Sequence, residues 1–298
     1  MASISSHRIR LDRITGPLMS VPALVGLALF IGLPFILAVV LSFTNIRLGS
    51  PLPVRFVGLK QYERILTDES FQRALLNNAV FSIIVVPLQS GFALALALLL
   101  NREFYGRVIF RTLFFMPVVF PMALVSVIWR LIYAPGPNGP LNSLLGFMME
   151  SRDFLHNPYL ALPSIMLLSI WQGVGFQMVV LLAGLQSIPE MLYEAAEIDN
   201  ANRWQKFVYI TLPQLRNPLI FTALVTTILA FRLFDQVQIL TQGGPNDAST
   251  TVMFEAVRTV FDRQQVAQAS AMTVVFFAIV LCVTWIQRSV AKEERQIS

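Results

Sequence analysis

Six stretches of this chain stay apolar for the roughly 20 residues that a helix needs to cross the hydrocarbon core of a bilayer. They run over about 17–43, 75–100, 109–133, 160–186, 217–240 and 266–287. The first is too long for a signal-peptide core and carries no small-residue cleavage site, so it reads as a retained span. Prolines at 34, 87, 117 and 121 lie inside these runs, as membrane helices tolerate. The pattern predicts an all-α integral membrane protein with six transmembrane helices.

Orientation follows from the basic residues. With the N-terminus inside, the inner segments are 1–16, 101–111, 187–216 and 286–298, and each holds three Lys or Arg. These are Arg8, Arg10 and Arg13; Arg102, Arg107 and Arg111; Arg203, Lys206 and Arg216; and Arg288, Lys292 and Arg295. The outer segments hold five, one and two. Twelve against eight predicts both termini in the cytoplasm. The organisation is then a cytoplasmic tail 1–16, a membrane domain 17–288 with a cytoplasmic loop 187–216, and a tail 289–298. The outer segment 44–73, with Glu63, Asp68 and Glu69 among its basic residues, reads as a short amphipathic helix over the outer face. APGPNGPLN (134–142) and TQGGPNDAST (241–250) read as compact loops.

Composition agrees. Hydrophobic residues make up 55% of the 298 and charged residues only 13%, and the mean hydropathy is +0.65. The net charge of +5 sits beside apolar runs, which points to topology and lipid headgroups and not to nucleic acid. Cys282 is the single cysteine, which excludes an intrachain disulfide; in its apolar run it reads as a packed small hydrophobe. His7 and His156 are too far apart in sequence to suggest a metal site. No G-x-x-x-x-G-K-[ST] occurs, and the only lysines, Lys60, Lys206 and Lys292, lie in no glycine loop. Gly173-Val174-Gly175 lies inside a span, where small residues serve helix packing. The chain is expected to bind no nucleotide, cofactor or metal, and the spans hold no paired carboxylates for catalysis.

The segment 187–216 is out of character with the rest. It reads as two short helices, the first opened by a Ser187/Glu190 capping box with Pro189 in the first turn. Ile188, Met191, Leu192 and Ala195 then share one face, and Glu190, Glu194 and Glu197 another. Asn200 is a plausible stop, because asparagine tolerates the left-handed conformation. The second helix carries Arg203, Trp204, Lys206, Phe207 and Val208, and Pro213 is expected to break it. Anionic lipid attracts basic faces, so an acidic helix tethered between two spans suits a soluble partner better than a membrane surface.

Glu194-Ala195-Ala196, three residues, Asn200, nine residues, Ile210, one residue and Leu212-Pro213 resembles the EAA motif of the permease subunits of binding-protein-dependent ABC importers. The family has glycine where Asn200 stands. LSFT at 41–44, FVGLKQY at 56–62, FRTLFFMP at 110–117, LLAGLQSIP at 181–189 and LTQGGP at 240–245 are similar to its carbohydrate branch, of the maltose and glycerol-phosphate type. The resemblance implies a multi-pass permease of the bacterial cytoplasmic (inner) membrane, with the 190–199 helix coupled to a partner ATPase. Glu190, Tyr193, Glu194, Ala195, Ala196, Glu197, Asp199, Asn200, Ile210, Leu212 and Pro213 would form that coupling segment. It also implies a homologous second permease, two copies of a cytoplasmic ABC ATPase that bind ATP and Mg, and an extracytoplasmic solute-binding protein.

Polar groups at membrane depth are candidates for the substrate path. A charge near the bilayer centre costs about 2.5–3.5 kcal/mol on insertion scales. Arg232 and Asp235 lie one turn apart in the fifth run, either as a mutual pair or facing the path. Trp171, Gln172 and Gln177 in the fourth offer an aromatic surface and amides, suited equally to a sugar and to interhelical hydrogen bonds. Asn77, Asn78 and Gln89 in the second are further candidates. An ion-driven secondary transporter working without an ATPase is the alternative; it would show an inverted repeat, and none is evident between 1–149 and 150–298.

Overall fold

The computed structural model describes residues 19–146 and 152–293. The tail 1–16, with Arg8, Arg10, Arg13 and His7, lies outside the described residues, as does Arg295. The described chain is helical, with one isolated β-bridge, Thr44 to Phe56. Four helices are long and apolar enough to cross a membrane: Met19–Ser42, Glu69–Asn101, Ala161–Gln186 and Val266–Ser289. Two bent pairs bring the number to six if each counts as one span. The chain divides into a unit of Met1–Leu66 with Thr259–Val275 and a unit of Thr67–Arg258 with Phe276–Ser298.

In the larger unit the second span starts at Glu69, earlier than its apolar run, because Asp68 caps it by accepting from the backbone N–H groups of Ser70 and Phe71. The fourth span packs along it. One core joins Phe81 and Val85 to Ile165, Leu168 and Val237; another joins Ala93 and Ala97 to Met178, Leu181 and Leu215. Glycine permits the close approaches. A Cβ at Gly175 would land on the Phe114 carbonyl, and one at Gly184 would meet Pro218. The Gly173-Val174-Gly175 run is a packing surface.

Two predicted spans are not continuous. The third bends by 102° between Arg107–Val119 and Met122–Ile132. Pro121 has no N–H to donate and forces Phe120 into extended backbone (φ −81°, ψ 140°). The fifth ends at Phe231, breaks through Arg232–Phe234 and resumes as Asp235–Leu240. No proline or glycine marks this break. Side chains from elsewhere satisfy the freed carbonyls: Asn78 Nδ2 donates to Ala230 O at 3.4 Å and Thr251 Oγ1 to Leu233 O at 2.7 Å.

In the smaller unit the first span has a π-helical turn at Ala28–Gly32. The expected amphipathic helix over 44–73 is instead a turned-back stretch, 44–57, followed by the seven-residue helix Lys60–Leu66. Gly49 and Gly58 supply its positive-φ turns, which explains why helix does not start earlier. Ser42 Oγ meets Tyr62 OH at 2.7 Å and Gln61 Nε2 donates to Thr44 O at 2.9 Å. Cys282, on the last span, is exposed and not packed against the described residues as expected.

Candidate functional site

The segment 187–216 folds as an exposed elbow. Its first helix, Glu190–Ile198, buries no residue. The expected capping box does not form. Ser187 Oγ turns back to Gly184 O at 2.7 Å, closing the preceding span, and Pro189 stands at the N-cap. The inward face is narrower than the apolar spacing predicts. Leu192, Tyr193 and Ala196 are half-buried, whereas Met191 and Ala195 are exposed beside Glu190 and Glu194. Tyr193 OH reaches Thr211 Oγ1 at 2.9 Å, and that anchor sets the rotation of the helix.

The helix ends as its sequence suggests. Asn200 is left-handed (φ 53°). Asn200 N–H donates to Glu197 O at 3.0 Å and Ala201 N–H to Ala196 O at 2.9 Å, the paired bonds of a Schellman end. The capping box of this region lies further on, where Asn202 and Gln205 exchange bonds of 2.9 and 2.7 Å. Lys206 Nζ meets Glu197 Oε1 at 2.6 Å across the elbow. That hydrogen bond, aided by the ammonium charge, holds the Glu197 carboxyl below its ordinary range. Glu197 is therefore tied within the elbow, while Glu190, Glu194 and Asp199 face outward. Ile198, Trp204 and Tyr209 are 82%, 71% and 76% exposed, so the outward surface is mixed apolar and acidic.

The second helix breaks before the fifth span, as Pro213 predicts: Arg203–Gln214 ends one residue past the proline and turns by 64° into Arg216–Phe231. A π-helical turn at Phe207–Thr211, closed by Leu212 N–H to Phe207 O, widens the helix just before the proline and accommodates its missing N–H. Thr211 is buried, Ile210 is half-buried, and Leu212 and Pro213 are exposed.

The other feature is a cleft of about 500 Å³ in the larger unit, walled by the second, third, fourth and fifth spans. Gln172, Gln177, Arg232 and Asp235 line it together with Gln89, Ser169, Thr226 and Gln236. Trp171 and Asn78 do not. Trp171 packs edge-on against Trp129 with centroids 5.5 Å apart. Asn78 is fully buried and accepts from Val252 N–H at 2.9 Å while donating to Ala230. Asn77 anchors the 241–250 loop through the Asp247 and Thr250 carbonyls. The break at 232–234 opens Arg232 and Asp235 onto the cleft as exposed groups. Among the described residues no ion pair joins them, so the i,i+3 pairing that a continuous helix would give is absent. Gln177 Nε2 donates to Thr226 Oγ1, and its buried Oε1 has no partner among the described residues. Ser169, Thr226 and Gln236 escaped the sequence reading, although Ser169, Gln172, Gly173, Phe176 and Gln177 form an i, i+3, i+4, i+7, i+8 stripe. Among the described residues no His, Cys, Asp or Glu group could hold a metal.

Residues 89–296 match the family described as binding-protein-dependent transport system inner membrane component. The sulfoquinovosyl glycerol transport system permease SmoG of Agrobacterium fabrum is 33% identical over 275 residues, covering 92% of this chain and 89% of that one. The trehalose/maltose transport system permease MalF of Thermococcus litoralis is 33% identical over 282 residues, covering 94% of each. A chain of a bacterial alginate ABC transporter, crystallised with an alginate pentasaccharide-bound periplasmic protein, shares the fold with a TM-score of 0.83 over 96% of both chains at 21% identity. With its apolar spans, its exposed elbow and these relatives, the chain belongs to the family of binding-protein-dependent transport system inner membrane components and is a multi-pass membrane protein.

Proposed function

We propose that this chain forms half of the path by which an ATP-driven importer moves a sugar or sugar-like solute, and that the 190–199 helix couples it to a partner ATPase. Relatives named for trehalose/maltose and for sulfoquinovosyl glycerol support the solute class. An extracytoplasmic binding protein delivers the solute, a homologous second permease supplies the other half of the path, and two ATPase copies bind ATP and Mg. The chain itself is non-catalytic. Its contribution is mechanical: a docked helix that contacts the two ATPase states differently biases the spans between two arrangements.

The observation that carries this reading is the exposed, separately capped helix Glu190–Ile198, held to the second short helix, Arg203–Gln214, by both Tyr193–Thr211 and Glu197–Lys206. Such an elbow moves as one piece and passes displacement into Arg216–Phe231. Within the cleft, Gln89, Gln172, Gln177 and Gln236 provide paired donors and acceptors for hydroxyls, and Arg232 offers a planar fork for paired oxygens. The test is Glu194→Lys in the purified complex, reconstituted with its binding protein. Binding-protein-stimulated ATP hydrolysis and ATPase co-purification both fall if Glu194 docks. Wild-type values of both reject the coupling assignment.

A further inference from the structure

The stretch between the first span and the Lys60–Leu66 helix exposes apolar side chains beside cations. Residues 44–62 contain Arg47, Arg55 and Lys60 and no acidic residue. Among the described residues none of these three cations makes an ion pair. Beside them Leu52, Val54, Phe56 and Leu59 are 70%, 60%, 79% and 67% exposed.

The backbone fixes where this surface lies. It begins two residues after Ser42, the end of the first span. Ile46 O accepts from Ala267 N–H at 3.2 Å and Leu48 N–H donates to Gln264 O at 2.9 Å, so the stretch is pinned to the first turn of the last span. It therefore sits at the level where two membrane helices meet water. Phe56 stacks on Phe43 with centroids 6.2 Å apart and keeps its other face open. Pro51 and Pro53, both exposed, have no N–H to desolvate. Apolar side chains, unpaired cations and few free donors at that depth are the requirements for an interfacial anchor.

We propose that residues 47–60 bind the anionic headgroup region of the bilayer, with Leu52 and Phe56 immersed among the upper acyl carbons and Arg47, Arg55 and Lys60 on lipid phosphates. Charge complementarity favours this occupant: Arg47, Arg55 and Lys60 all precede the first acid, Glu63, so residues 47–60 carry a net positive charge that matches an anionic surface. Each cation contributes about five-fold to the preference for anionic lipid. The anchor would hold the first and last spans at a fixed depth.

The test uses the full importer complex in nanodiscs, in a Cys282→Ser background, with spin labels on Leu52→Cys and Phe56→Cys. Collision with oxygen and with a nickel chelate reports depth while phosphatidylglycerol is titrated into phosphatidylcholine. Both labels are expected to favour oxygen and to sink further as phosphatidylglycerol rises, and the Arg47→Gln/Arg55→Gln/Lys60→Gln variant to lose that response. If the triple variant does not assemble, the wild-type response to phosphatidylglycerol decides alone. Nickel-accessible labels in every lipid overturn the proposal. So does immersion that ignores phosphatidylglycerol, or protection that arises only when the binding protein is added.

Discussion

Replacing Asn200 by valine changes one torsion on which the elbow depends. At φ 53° the backbone is left-handed, which costs an ordinary L-residue about 1–2 kcal/mol and a β-branched one the upper part of that range. Asparagine tolerates it and glycine pays nothing. If valine refuses the torsion, the bonds from Asn200 to Glu197 O and from Ala201 to Ala196 O, 3.0 and 2.9 Å long, are lost together. The capping box at Asn202 follows two residues later, so the second helix would leave in another direction and strain Glu197–Lys206. A penalty of about 2 kcal/mol is about a 30-fold increase in local opening. Hydrogen exchange at the Ala201 amide in the detergent-purified complex reads it directly. Asn200→Val should exchange about 30-fold faster than wild type, and Asn200→Gly as slowly or more slowly. Stimulated ATPase activity should fall with valine and persist with glycine. Equal exchange in the two variants would refute the argument.

Three further outcomes follow from named contacts. Lys206→Gln should return the Glu197 carboxyl to its usual range, read by carbon NMR of carboxyl-labelled glutamate. Because the folded group is more acidic than the unfolded one, its contribution is present above the unfolded value and disappears as pH falls through the folded value; an unmoved titration would exclude Lys206 as the cause. Arg232→Ala should leave complex assembly and thermal stability unchanged, since no ion pair is broken, yet reduce uptake by about ten-fold if a charged hydrogen bond to solute is lost. Exchanging Arg232→Asp with Asp235→Arg should not restore uptake, and wild-type uptake in either protein removes Arg232 from the path. Gly175→Val should lower stability by about 1–3 kcal/mol, because its neighbour is the Phe114 backbone and not a movable side chain; an unchanged melting temperature would argue against that packing.

Long-period features were legible from sequence and local breaks were not. The spans at 160–186 and 266–287 match Ala161–Gln186 and the start of Val266–Glu293, because an apolar run of that length has one stable solution in lipid. Asn200 was legible too, since few residues accept a left-handed helix end. The break at Arg232–Phe234 was hidden because Asn78 and Thr251, remote in sequence, satisfy its carbonyls. The Ser187/Glu190 spacing misled because Ser187 had a nearer acceptor at Gly184. Pro213 marked the break before the fifth span, but not the π-helical turn at Phe207–Thr211 that precedes it. The cleft residues Gln172 and Gln177 stood out as amides in a span, whereas the roles of Ser169, Thr226 and Gln236 depend on which face of each helix turns inward.

The central claim is that the energy for transport enters through the exposed helix 190–198. The most direct measurement places a photo-cross-linking amino acid at Met191 or Ile198, both exposed, in the complex reconstituted with its ATPase and binding protein. Irradiation should join this chain to the ATPase subunit, identified by mass, with a yield that changes between nucleotide-free and ATP-bound states and falls in Glu194→Lys. ATP-driven uptake that proceeds normally while neither position yields an adduct with the ATPase would contradict the account.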